Sequence, residues 1–122
     1  MNAEWRARRR EADEALAKLS IGLTSFALDV PAAEIAAATR RSAQSAFARQ
    51  VAMYLCHVAG WLSRSRVAEA FGRDRSTIAY ACHAIEDRRD EPSFDSWVSA
   101  LEHCLRAAPA PNALAPAEGA AP

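Results

Sequence analysis

Two apolar-periodic stretches held apart only by Gly72, Arg73 and Asp74 constrain this chain more than any other feature. Before the break, Val67, Ala70 and Phe71 keep helical spacing over about 65–71. After it, Ile78, Ala81 or Cys82, and Ile85 do the same. Glycine suits the position just past a helix because it takes the left-handed conformation at no steric cost. An aspartate just ahead of a helix can accept a first-turn amide. Asp74 is therefore expected to N-cap a helix running to about Arg88, bonding the N–H of Ser76 or Thr77. Two helices joined by a tight glycine-containing turn form either a helix-turn-helix or an ordinary packing corner. Arg75, Ser76 and Thr77 lie off the Ile78/Ile85 stripe. In a helix-turn-helix, that first turn of the second helix meets base edges in the major groove.

The remaining sequence is also helical in pattern, with few β-branched runs and no alternation of apolar and polar residues. A first helix is expected over about 4–28, with Leu16, Leu19, Leu23 and Phe26 as its core-facing stripe and Gly22 as a kink or boundary. Arg6, Arg8, Arg9 and Arg10 read as a solvated face paired with Glu11, Asp13 and Glu14, or as an arm touching phosphates. Asp29-Val30-Pro31 is a break. A short helix over about 32–38 follows it, then a polar loop with adjacent Arg40 and Arg41. Phe47, Val51, Tyr54 or Leu55, Val58 and Leu62 mark a central buried helix. Pro92 opens a last one with Phe94, Trp97, Val98, Leu101 and Leu105 on one face. These readings make an all-α fold, a small helical bundle containing a helix-turn-helix. Residues 1–10 form a basic arm or helix start, and 11–106 form the domain. Residues 107–122, rich in alanine and proline, form a disordered tail that cannot offset its ordering entropy.

The formal net charge of zero conceals a basic centre. Between Arg40 and Arg89 nine arginines face four acids, Glu69, Asp74, Glu86 and Asp87, and the flanking segments are acidic. Lys18 is the only lysine. Arginine suits planar, bidentate contacts to phosphate or guanine. Each of the three cysteines adjoins a histidine, as Cys56-His57, Cys82-His83 and His103-Cys104. With no short ligand spacing such as CxxC, buried free thiols and surface histidines are the simpler reading than zinc. No metal or cofactor is expected. No apolar run has the length of a membrane span, and the first residues lack the apolar stretch of a signal peptide, so the expectation is a cytoplasmic, nucleoid-associated protein. No phosphate loop, paired catalytic carboxylates or Cys/His/Asn pattern supports an enzyme.

Two motifs in order make the chain recognisable. Arg49, Gln50, Ala52, Met53, Tyr54 and Leu55 form the first. Phe71, Gly72, Arg73, Asp74, Thr77, Ala81, Cys82 and Ile85 form the second. Together they resemble the C-terminal helix-turn-helix domain of the bacterial replication initiator DnaA, over Glu11 to about Leu105. The resemblance implies a Trp-repressor-like helical fold that binds double-stranded DNA. It places Arg40 and Arg41 on a basic loop, with Arg41 reaching the minor groove. It places Arg73, Asp74, Arg75, Ser76 and Thr77 on the turn and the start of the recognition helix. Arg49 and Arg73 would hold phosphates, which set register rather than sequence. The ATPase module of that family has no counterpart in these residues.

Two reading positions depart from the family. Arg75 replaces a histidine and Ser76 replaces a threonine. Arginine suits guanine O6 and N7, and serine lacks the methyl that packs on thymine. The resemblance thus implies a sequence-specific binder of initiator-type boxes, with shifted or looser preference, regulating replication initiation or transcription. The alternative is an adaptor that binds the initiator or its inactivating regulatory ATPase.

Overall fold

The computed structural model describes residues 2–37, 39, 42–111 and 114. The tail assigned above to 107–122 therefore falls mostly outside the described residues. Six helices follow in order: α1 (Ala3–Leu28), α2 (Ala32–Ala36), α3 (Ala43–Val58), α4 (Arg64–Phe71), α5 (Arg75–Arg88) and α6 (Pro92–Ala107). No strand occurs among the described residues. The all-α bundle expected from the pattern is the fold observed.

Local chemistry explains most of the boundaries. Asn2 caps α1 through its side chain, which accepts from the Trp5 amide at 2.8 Å. Asp29 closes that helix in the left-handed conformation, and Pro31 prevents its continuation. Ser42 and Ser45 form a reciprocal capping box at the start of α3. Ser63 caps α4, and Gly72 ends it at φ 64°. Pro92 occupies the first turn of α6, where its missing N–H costs nothing. Helix α3 ends at Val58, earlier than the apolar run that reaches Leu62. Gly60 lies just beyond it, and a Cβ there would meet Leu16 Cδ2 at 2.5 Å and the Cys56 carbonyl oxygen at 2.7 Å. Only glycine lets the chain turn this close to α1.

Helix α3 is the axis of the core. Val51, Met53, Tyr54, Leu55 and Cys56 are buried against Val67, Ile78, Ile85, Val98 and Leu105 of the surrounding helices. A smaller cluster, Val30, Ile35, Ala48 and Ala52, fixes α2 and the α1–α2 turn. The α4, α5 and α6 stripes bury as the periodicity predicts.

The α1 stripe does not. Leu19 and Phe26, expected in the core, are exposed, Phe26 to 89%. Leu16 and Leu23 are half-buried, and the buried line is Asp13, Ala17, Ser20 and Thr24. Each polar member has a partner there. Thr24 Oγ1 donates to the Ser20 carbonyl at 2.8 Å, and the Cys56 thiol lies 3.1 Å from Ser20 Oγ. Small side chains bring α1 close to α3, and their satisfied hydroxyls remove the usual cost of burying polar atoms. Asp13 also departs from its expected helix-face pairing. It accepts a bidentate pair from Arg66 of α4, at 2.9 and 2.7 Å. Arg9 stacks over the Trp5 ring at 5.1 Å instead of joining that pair.

Candidate nucleic-acid interface

The α4–α5 unit is a helix-turn-helix built by three backbone devices. The Gly72 amide bonds carbonyls of α4's last turn, and the Arg73 amide bonds the Ala68 carbonyl at 2.9 Å. The Thr77 amide then bonds the Asp74 carbonyl at 3.0 Å to start α5. Val67, Ala68, Ile78, Ala81, Cys82 and Ile85 bury the inner faces, so the outer face of α5 is presented rigidly.

Asp74 occupies the N-cap position, but its side chain makes no capping hydrogen bond. The expected bond to Ser76 or Thr77 is absent. Asp74, Arg75, Ser76 and Thr77 are all exposed. Among the described residues, none of their side chains has a protein hydrogen-bond or ion-pair partner. The first-turn amides of a helix also lack intrahelical partners and carry the positive end of the macrodipole. One surface turn thus offers a carboxylate acceptor, a five-donor guanidinium, two hydroxyls, a methyl and a positive backbone field. These groups match base edges and phosphates.

The other expected site residues divide. Arg40 and Arg41 lie outside the described residues. Arg49, expected at a phosphate, is 6% exposed and faces inward. Its Nε donates to the Ile35 carbonyl and an Nη to the Glu34 carbonyl, both at 2.8 Å, with a longer bond to the Thr39 carbonyl at 3.4 Å. Burial, and then the adjacent Arg73 charge, lowers its pKa from the free value. Arg73 is half-buried and donates to the Ala37 carbonyl. These two arginines close over the end of α2, donating to the carbonyls of Glu34, Ile35 and Ala37. Their geometry is that of a clamp, tying the end of α2 to α3 and to the turn before α5.

The outer face of α5 extends further than the sequence reading took it. Tyr80, 70% exposed, and His83 continue the line from Ser76 at helical spacing. Arg64, at the start of α4, joins His83 and Glu86 around a shallow depression of about 170 Å³. The signal was available: positions 76, 80, 83 and 87 fall opposite Ile78 and Ile85. Among the described residues, no group of three or more His, Cys, Asp or Glu side chains is placed to hold a metal. Cys56 and Cys82 are buried, and burial pushes their thiols up to about 12 and about 11.

Comparison with known proteins agrees with this geometry. The family model described as the bacterial DnaA protein helix-turn-helix matches residues 21–85. The chain is 34% identical over 88 residues to the chromosomal replication initiator protein DnaA of Tropheryma whipplei, covering 70% of this chain and 18% of the relative. It is 38% identical over 63 residues to the DnaA of Lachnoclostridium phytofermentans, covering 50% and 14%. The chain therefore spans less than a fifth of these relatives' length. A crystal structure of a DNA replication initiation factor superposes with TM-score 0.74 over 84% of this chain and 32% of the other. At 24% identity that likeness speaks for the fold. With the family model covering more than half of the chain, the protein belongs to the bacterial DnaA helix-turn-helix family.

Proposed function

We propose that this protein binds double-stranded DNA at sites related to the DnaA box and so regulates replication initiation or nearby transcription. The carrying observation is the unpartnered set Asp74, Arg75, Ser76 and Thr77 on the exposed first turn of α5. Arg49, Arg66 and Arg89 pair within the molecule. These four do not.

The roles follow from donor and acceptor chemistry. Arg75 reads guanine O6 and N7 bidentately, and Asp74 accepts from cytosine N4. Thr77 bonds a phosphate or packs its methyl on thymine, and Ser76 gives a hydroxyl without that methyl contact. Arg41, by the family resemblance, enters the minor groove. Losing one methyl contact is worth about 1 kcal/mol, near the low end for a specific base contact. The preferred site is therefore a DnaA box with altered weight at the positions under Arg75 and Ser76.

Selection from a random duplex library tests this. Enrichment of a box-like site carrying guanine opposite Arg75 is the expected result. Return of the unmodified initiator box with equal mismatch penalties contradicts the shifted specificity. No enrichment at all favours the adaptor reading, in which the same fold binds the initiator or its regulatory ATPase.

A further inference from the structure

The depression beside the outer face of α5 brings together charge chemistry from three helices. His57 comes from the last turn of α3, Arg64 from the start of α4, and Cys82, His83 and Glu86 from α5. Among the described residues, the side chains of Arg64, His83 and Glu86 have no hydrogen-bond or ion-pair partner. Arg64 brings a positive charge and Glu86 a negative one, so with both imidazoles neutral the lining has no net charge. With both imidazoles protonated it becomes strongly positive. The Cys82 thiol, pushed up to about 11 by burial, stays protonated throughout that change.

His57 makes the dependence on protons sharper. Its Nδ1 lies 2.7 Å from the Leu62 carbonyl oxygen. A carbonyl only accepts, so Nδ1 carries the ring proton and donates it. Neutral His57 then has a bare lone pair at Nε2 and nothing to give a phosphate oxygen. It gains a second donor only as imidazolium. Exposed His83 adds its charge by the same step. The acids that α1 and α6 pack near α3 are engaged elsewhere: Asp13 is held by Arg66, and Glu102 by Arg89 and Arg106. Asp87, one turn beyond His83, is exposed and outside the lining.

The position suits a duplex backbone. His83 lies about 10 Å along the α5 axis from Ser76, at about 1.5 Å per residue. The major groove is about 12 Å wide. A helix whose first turn reaches base edges therefore brings this depression to the phosphates at the groove's wall. We propose that the depression between His57, Arg64 and His83 is a proton-controlled phosphate site, so that DNA binding takes up protons and tightens as pH falls through the range where imidazole titrates. The site rests on the DNA-binding reading and adds to it a contact that carries no sequence information. Protonation favours the phosphate, and by reciprocity the phosphate favours protonation, against the standing charge of Arg64.

The experiment titrates the full chain with a box duplex and a scrambled duplex at about pH 6 and about pH 8, at fixed ionic strength. Affinity for both duplexes should be about tenfold higher at the lower pH, the worth of roughly one charge-assisted hydrogen bond. Calorimetry in two buffers of different ionisation enthalpy should show protons taken up on binding. His83→Gln, at an exposed position that folding does not use, should remove part of the gain, and the double variant His57→Gln/His83→Gln nearly all of it. His103→Gln, exposed on α6, should keep it. An affinity that prefers the box but does not change with pH overturns the site and leaves the DNA-binding reading standing. So does a pH-dependent gain that survives in the double variant. No binding to either duplex at either pH overturns both.

Discussion

The two ends of α5 put the same residue type to opposite uses. At the C-terminal end, Arg89 is enclosed by partners. Its Nε donates to Asp95 at 2.5 Å, one Nη to Glu102 at 2.8 Å and Tyr54 at 3.0 Å, and the other to Ser99 at 2.8 Å. Burial alone would lower its pKa, but the bonds to Asp95, Tyr54 and Glu102 outweigh that and raise it. Neighbouring Arg88 lies over the Phe47 and Phe94 rings at 4.5 and 4.4 Å. At the N-terminal end, Arg75 has no such partner among the described residues, and Asp74 leaves its capping bond unmade. One end joins α5 to α3 and α6. The other keeps its polar groups available. A helix anchored at its far end can present its near end without reorganising when a ligand arrives.

Breaking the anchored end should give the largest effect. Arg89→Ala strips the buried Glu102 carboxylate of its closest cation, leaving only Arg106, at 3.8 Å, among the described residues. It should cost about 3 kcal/mol of stability, measured by urea unfolding. Breaking the free end should spare stability and remove function. Arg75→Ala should lower affinity for the preferred duplex by about 10- to 100-fold. Its unfolding free energy should stay within about 0.5 kcal/mol of the parent. Asp74→Ala sharpens the contrast further. A capping aspartate replaced by alanine costs about 1 kcal/mol. Here, with no cap bond to lose, the melting transition should barely move while discrimination at one base pair declines. The smallest effect is a gain. Ser76→Thr restores a methyl and should tighten binding to sites with thymine at that position by about fivefold, for about 1 kcal/mol, read in competition binding.

How much of this was legible in the sequence follows the range of the interactions. Gly72, the Ile78/Ile85 period and Pro92 act within a few residues, and the helix-turn-helix was readable from them. The α1 face was not. Leu19 and Phe26 repeat as well as any core stripe, yet burial went to Thr24, whose hydroxyl bonds back to the Ser20 carbonyl, and to Ser20, whose hydroxyl meets the Cys56 thiol only once α1 meets α3. Arg49 looks like a phosphate ligand in one dimension. Its acceptors, the Glu34 and Ile35 carbonyls, exist as a group only after α2 folds back on α3. The Asp13–Arg66 pair joins residues 53 apart in sequence, beyond any local spacing rule. The Asp74 expectation failed in the other direction: the position is the N-cap, but the side chain is unused there.

The central claim is that the free end of α5 reads DNA. Fluorescence anisotropy measures it most directly, titrating a box duplex and a scrambled duplex at two salt concentrations with the parent and Arg75→Ala. The account predicts tight binding that prefers the box, a preference that persists at the higher salt, and its loss in the variant. Equal binding to both duplexes that weakens steeply with salt, unchanged by Arg75→Ala, would reflect phosphate contacts alone and contradict it.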